Sequence, residues 1–589
     1  MPDDTSRSAP GPNHDTILPR TTGWTASREG NMIGVIARGG QSPAVKEFFQ
    51  IFKTPWEFFR EDRAYEILLV TENPEILPPA GLIFLFGPGK KHFDEENRVV
   101  LHPAGSETVL EHSGCPFPVK SEISLFPDRD DPVLKTADGK GIGGFLFRSG
   151  KKNIIRVGFD LFDEVGGLLF QGQDIEYAQA PTLDLLADFV RRWILWSGED
   201  LVEVPPAPHG HDFTVCLTHD VDFMGIRDHL FDRTFFGFLL RSLFPWFFPG
   251  YRNKVTPGRY LKNLFTVFKL PLVYLGVVKD PWYNLGRYIR LEGSLPSTFF
   301  FIPWGGDEGK SRPEGYQGKG SGRAARYDLK EHGSRLSFLR EKGKEIGLHG
   351  IDAWSSSLNG EAEKKAVQEV SKKDVLGVRM HWLYFDRSSS LVLEETGFLY
   401  DSTVGYNETI GFKTGSAQVY LPPGNRSLLE LPMIIQDSAL FYPGRMGLDE
   451  KAALSLCLKV IDMVSAYGGV LTINWHHRSL SPERNWDSFY VNLVKILRER
   501  GAWFAQGSQA VEWFRKRREV KFQVSGEKGD LIRLVPGLPN DSANGATPEL
   551  KVRKYIHGVQ TDLNPHLEKP VFKFLDEKWN TLGELEVRI

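Results

Sequence analysis

The run Phe213-Thr-Val-Cys-Leu-Thr-His-Asp-Val-Asp222 is apolar for most of its length and ends in two acids, Asp220 and Asp222. Side chains alternate across a strand, so residues two apart leave it on the same side. Both carboxylates therefore project together, with Val221 turned away between them. Like charges held that close repel, which raises one of the two pKa values unless a cation stands between them. The arrangement suits a divalent ion held by one acid while the other serves as a base.

The same pattern recurs downstream, a short apolar run followed by polar groups where a strand stops. Glu345-Ile-Gly-Leu-His349-Gly-Ile-Asp352, Gly377-Val-Arg379-Met-His381, the run Leu428 to Asp437, and Gly469-Val-Leu-Thr-Ile-Asn-Trp-His476-His477 all show it. Helix-like segments such as 334–344 and 448–467 lie between them. Strands alternating with helices predict a parallel sheet or a βα barrel, and barrels of this kind keep their active sites at the carboxyl ends of their strands.

The ordered set Thr218-His-Asp-Val-Asp222, Ser297-Thr-Phe-Phe-Phe301 and Glu345-Ile-Gly-Leu-His-Gly350 resembles the polysaccharide deacetylases of carbohydrate esterase family 4. The Arg379 strand, the segment Gly397-Phe-Leu-Tyr-Asp-Ser-Thr403 and the Trp475-His476 strand follow in the same order, so the resemblance covers residues 210–518, about half the chain. It implies a distorted (β/α) barrel and metal-dependent removal of N- or O-acyl groups from sugars. Carried over residue by residue, Asp220 is the expected general base, Asp222 and His349 metal ligands, Arg379 the group orienting the base, and His476 the general acid. A divalent ion is the implied cofactor, with zinc the expected one. His477 is an alternative acid, because adjacent strand residues face opposite ways. The resemblance favours His476. Asp437 serves either to orient that imidazole or as a loop turn residue.

One departure bears on all of this. The second motif of the family usually carries another His four residues after the first, and that position here is Ala353. Catalytic zinc normally takes three protein ligands, so Asp222 and His349 need a third. His381 is the favoured candidate, with Asp352 the alternative. Two function classes follow: a carbohydrate deacetylase cleaving an amide or ester bond in polysaccharide or glycolipid metabolism, or a catalytically inactive scaffold in polysaccharide assembly.

The 589 residues carry a formal net charge of −3 and only three cysteines, Cys115, Cys216 and Cys457. Neither a disulfide framework nor a cysteine-based zinc site is suggested. Residues 1–30 are polar and rich in Pro, Ser, Thr and Asp, with no apolar secretory core, and no run of the chain reaches membrane-spanning length. A disordered N-terminus and a cytoplasmic location are expected, with membrane association as the variant. Residues 31–200 read as an open α/β domain, with strands at 32–36, 66–70 and 81–86 and a helix over 181–197. Gly139-Lys-Gly-Ile-Gly-Gly144 fits a dinucleotide-binding spacing, but strand-like residues follow it, so a hairpin is expected. Residues 305–326 are Gly- and Lys/Arg-rich and read as a flexible basic flap. Residues 519–589 alternate short apolar segments with Asn, Gly and Pro, which predicts a β-rich appendage.

About 75 residues separate the first motif from the Ser297–Phe301 strand, far more than a barrel crossover needs. Within 231–290 aromatic residues are dense, and from 241 to 290 nine Lys/Arg stand against one acid, a local +8. A helical subdomain packed on the barrel is one expectation. The other is a basic amphipathic surface that meets a membrane or a lipid-linked saccharide. No nucleic-acid-binding module is present, and the expected partner is a saccharide, free or lipid-linked.

Overall fold

Strands and helices alternate from Thr214 to Glu519 in the computed structural model. It describes residues 32–589 except 106–107, 128, 151, 248–255, 310–311, 314–322, 485, 526–530, 536–546, 556–584 and 589. The expectation of a disordered segment at 1–30 falls outside the described residues.

The strands of this region are β1 (Thr214–Val221), β2 (Thr298–Phe301), β3 (Glu345–Gly350), β4 (Gly377–Met380), β5 (Tyr400–Asp401), β6 (Leu429–Glu430), β7 (Met433–Gln436), β8 (Val470–Asn474) and β9 (Trp503–Ala505). They form one parallel sheet in the order β6-β5-β4-β3-β2-β1-β8-β7, with β9 beside the first residues of β1. All eight residues of β1 are buried, as expected for a parallel strand covered on both faces. The ladders are in register at one end, pairing Asp220 with Phe300, His349 with Arg379 and Thr218 with Asn474. The polar residues that close each apolar run therefore sit at one level.

The run 428–437 departs from expectation. It is two strands, because Pro432 has no N–H to give to a ladder and stands between Glu430 and Met433. Its first half pairs with β5 and its second half with β8. The two ends of the row thus belong to one short stretch of chain, and the sheet curls into a distorted barrel closed by a covalent step. Beneath the site, Gly347 leaves room for a ring. A Cβ there would stand 2.5 Å from Phe300, whose ring in turn lies 4.6 Å below the Arg379 guanidinium.

Among the described residues between β1 and β2 stand three α-helices, α1 (Arg233–Leu243), α2 (Pro257–Tyr274) and Leu285–Glu292, the first two packed together as a hairpin. Ile226, Phe235, Phe238, Leu270, Val273 and Trp282 build a small core of their own beneath them. Other large side chains of this segment face outward, Phe236, Phe244, Trp246, Phe247, Phe265 and Phe268 among them. Phe248 and Tyr251 lie outside the described residues.

Residues 33–157 form a second nine-stranded sheet. Strands 56–58, 33–36, 67–70, 82–86 and 152–157 are parallel, and the remaining four run antiparallel. The glycine-rich 139–144 segment joins Pro132–Thr136 to Ile142–Ser149 as a hairpin. The helix Thr182–Trp196 meets the barrel through Asp184, which accepts hydrogen bonds from Ser416 at 2.9 Å and Gln418 at 3.0 Å. Among the described C-terminal residues, Lys551–Tyr555 pairs with Leu201–Glu203 rather than standing apart. Lys521–Ser525 and Leu531–Val535 form a separate hairpin.

On the outer face of β1, opposite the acids, His219 is buried and bonded to Glu292 at 2.7 Å. Glu292 also accepts hydrogen bonds from Ser297 at 2.7 Å, Tyr490 at 2.8 Å and Lys344 at 3.2 Å. Burial would raise the Glu292 carboxyl, but His219 and Lys344 overcome it and hold the group at about 2. Glu292→Ala strands a buried ammonium and an imidazole, and should destabilise the fold by about 3–5 kcal/mol in urea unfolding. Because the folded value of about 2 lies below the ordinary 4.5, this stabilisation is complete above pH 4.5 and is lost as pH falls through 2. The gap between wild type and Glu292→Ala should therefore narrow on acidification.

Candidate active site and metal centre

Asp220 and Asp222 leave the end of β1 together. Asp220 is 3% exposed. One of its oxygens accepts from Arg379 Nη1 at 3.0 Å and the other from Asn474 Nδ2 at 2.7 Å. Arg379, wholly buried, also donates to Thr218 Oγ1 at 2.8 Å, Ser402 O at 2.9 Å and Ser402 Oγ at 2.8 Å. Burial would push the Asp220 carboxyl up, but Arg379, His349 and His476 overcome it and leave it below its ordinary value. Asp220 is thus a fixed carboxylate.

Three imidazoles converge on Asp222. Its Oδ1 lies 3.2 Å from His349 Nε2 and 3.7 Å from His381 Nε2, and its Oδ2 lies 3.9 Å from His476 Nε2. Burial opposes its charge, yet the histidines hold it far below the usual carboxylate range. His349 Nδ1 donates to the Arg379 carbonyl at 2.8 Å, which fixes the tautomer and turns the Nε2 lone pair toward Asp222. Burial drives His381 down to about 3, so it is a neutral imidazole.

The donor set fits a cation. Asp222 Oδ1 and His381 Nδ1 are buried with no hydrogen-bond partner, although an unpaired buried polar atom costs about 1–3 kcal/mol. Ligand atoms of Asp222, His349 and His381 all lie within 4.8 Å of one another. Ligands about 2.1 Å from a tetrahedral zinc stand about 3.4 Å apart, close to the 3.2 and 3.7 Å found here. One carboxylate and two imidazoles is also a common zinc donor set.

Asp352, the alternative ligand, points elsewhere. Its carboxylate stands 3.5 Å from Arg323 Nη1, and that guanidinium lies 3.9 Å over the Tyr384 ring. Arg323 is itself buried, so this end of the expected basic flap packs inward. Of the flap, 310–311 and 314–322 lie outside the described residues. Ala353, where a second-motif His was expected, is a wholly buried core methyl. His381 is delivered instead from the end of β4 by a turn in which Trp382 (φ 65°) and Leu383 (φ 56°) adopt left-handed conformations. Neither is glycine, and such residues cost of order 1–3 kcal/mol each, a strain that clusters at functional sites.

His476 and His477 have opposite fates. Asp437 accepts from His476 Nδ1 at 2.6 Å and from the His476 backbone N–H at 2.7 Å. Burial alone would lower the His476 imidazole, but Asp437 outweighs it and holds it at about 9. His476 is a protonated acid whose Nε2 faces Asp222. His477, wholly buried, donates Nδ1–H to Phe223 O at 2.9 Å and accepts the Asn284 N–H at Nε2 at 3.0 Å. Burial holds it down to about 4, and both nitrogens are spent on backbone.

Asn474, Thr218 and Ser402 hold Asp220 and its guanidinium and were given no part by sequence reasoning. The alternation that pairs Asp220 with Asp222 was the available signal: Thr218 lies two residues before Asp220, and Asn474 two before His476.

No protein-family model and no curated protein sequence matches the chain. Solved structures do. A Mycobacterium smegmatis protein assigned as a polysaccharide deacetylase is 21% identical, with 53% of this chain and 94% of that one covered, at a TM-score of 0.34. The carbohydrate deacetylase Agd3 is 9% identical over 91% of this chain and 92% of its own, at 0.31. A pseudoenzyme of carbohydrate esterase family 4 from Bacillus anthracis is 10% identical over 52% of this chain and 69% of its own, at 0.26. The resemblance is to polysaccharide deacetylases, active and inactive alike. With similarities this distant, the reading of the site rests on its own side chains. Among the described residues no helix is long and apolar enough to cross a membrane.

Single replacements of His349 or His381 by Ala should abolish zinc retention after reconstitution, read by elemental analysis and by the visible spectrum of the cobalt form. Asp352→Ala should retain metal like wild type. The reverse pattern would move the third ligand to Asp352.

Proposed function

We propose that the chain is a metal-dependent hydrolase that removes an N- or O-acyl group, acetyl in the first instance, from a saccharide or lipid-linked saccharide. The observation that carries this reading is the pair at one strand level: a fixed carboxylate, Asp220, two residues before Asp222, and a protonated imidazole, His476, whose Nε2 lies 3.9 Å from Asp222 Oδ2. Hydrolysis of an amide or ester needs a proton taken from water and a proton given to the leaving atom. Asp220, its two oxygens oriented by Arg379 and Asn474, accepts the proton of the attacking water. His476 delivers its Nε2 proton to the departing nitrogen or oxygen, so acyl carbon gains the water oxygen and the sugar leaves as neutral amine or alcohol. Asp437 stabilises the imidazolium before transfer and keeps Nε2 aimed into the site. A divalent ion held by Asp222, His349 and His381, zinc by its donor set, would supply a lowered water pKa and a polarised acyl carbonyl.

Acetate release from N- and O-acetylated oligosaccharides, measured with the zinc-reconstituted protein, tests the reading. Asp220→Asn and His476→Ala should each lower turnover by about 10²–10⁴-fold, and His476→Ala should leave the metal content intact. A protein that holds zinc but frees no acetate from any acetylated saccharide would instead be the deacetylase-derived scaffold.

A further inference from the structure

The helical hairpin inserted after β1 has two apolar faces where folding requires one. On α2, Asn263, Leu270 and Val273 turn inward, while Leu261, Phe265, Phe268, Leu272 and Leu275 form a second stripe at helical spacing that faces water. On α1, Phe235 and Phe238 turn inward and Phe236 and Leu240 outward, a line that Phe244, Trp246 and Phe247 prolong. Phe268 is 78% and Phe247 81% exposed. The inward stripes already close a core with Ile226 and Trp282, so the outward stripes contribute nothing to folding. A contiguous apolar patch of this kind marks an interaction site.

Charge selects the partner. From residue 233 to residue 279 the chain has eight Lys/Arg and no acid. Arg259 is held by Glu450 at 3.6 Å. Lys269 instead lays its stem along the apolar stripe, with Nζ 4.3 Å over the Phe265 ring, the posture of a lysine whose head reaches past an apolar boundary. A second copy of the chain pairing through the same patch would bring cations against cations with no acid to answer them. No described helix can span a bilayer, so contact lies in the plane of a surface.

We propose that this hairpin docks the protein on an anionic lipid surface, its outer aromatic stripe seated at the headgroup boundary and its lysines and arginines on the headgroups. The hairpin leaves the barrel at the end of the site strand, α1 beginning at Arg233 shortly after Asp222. Its core residue Trp282 lies 3.7 Å beneath the guanidinium of Arg478, two residues beyond His476. The base of the hairpin thus stands beside the mouth of the barrel. The proposal stands apart from the hydrolase reading, because an inactive barrel would dock in the same way.

Flotation of the full chain with phosphatidylcholine vesicles, with and without phosphatidylglycerol, tests it. The protein should float with the anionic vesicles at low salt, weakly or not at all with the neutral ones, and progressively less as salt rises. K262E/K269E should weaken binding by at least about tenfold, each cation near a charged surface being worth about fivefold or more. F265S/F268S should abolish flotation, with zinc content and circular dichroism unchanged because both rings already face water. Absence from both kinds of vesicle, or equal flotation of F265S/F268S and wild type, would overturn the proposal. So would a wild-type dimer that F265S/F268S converts to monomer in sedimentation, which would give the face to a second copy.

Discussion

Asp220 is a carboxylate with almost no access to water, two residues from a second carboxylate on the same strand face. Burying such a charge unpaired would cost many kcal/mol, and the group would protonate instead. What prevents this is Arg379, itself wholly buried and donating to Asp220, Thr218 and Ser402 at once. That one guanidinium ties the ends of β1, β4 and the strand after it to a single level. The Arg379 carbonyl then fixes the tautomer of His349. Asp220, the guanidinium that holds it and His349 are thus one connected network.

The strand face that ends in Asp220 and Asp222 accounts for only half of β1. His219, turned the other way, enters a buried cluster with Glu292, Lys344 and Tyr490. A strand with buried polar side chains on both faces must partner them on both. Glu292 does on the outer side what Arg379 does on the inner one. The outer cluster also joins the helix 285–292 and β3 to β1, so register at the site is held from behind as well as from within.

Period-two alternation made the acids, His349, Arg379, His381 and His476 legible, because each closes an apolar run at a strand end. The same rule applied once more would have reached Asn474 and Thr218. Other features were illegible for a physical reason: they depend on partners distant in sequence. Nothing local in Asp352 says that Arg323 will take its carboxylate, and nothing in His477 says that two backbone groups will use up both its nitrogens. The run 428–437 looked like one strand because, Glu430 apart, its side chains are apolar as far as Ile435. Pro432 was the visible signal that the ladder had to break there.

The loss of a histidine at position 353 and the presence of one at 381 fit a single account. Strand ends of a parallel barrel surround one space, so a ligand can come from any neighbouring strand that reaches the same level. His349 and Arg379 are ladder partners, which puts His381, two residues beyond Arg379, one step further toward the mouth. The consecutive left-handed residues Trp382 and Leu383 reverse the chain at once, and the imidazole comes to rest with its ring centroid 4.9 Å from that of His349. Ala353 is small, and its methyl packs against Gly350 within the core, where the bulk of an imidazole would have to displace neighbours. Under the proposed ligand set, the turn after β4 supplies from one strand the imidazole that position 353 does not supply from another.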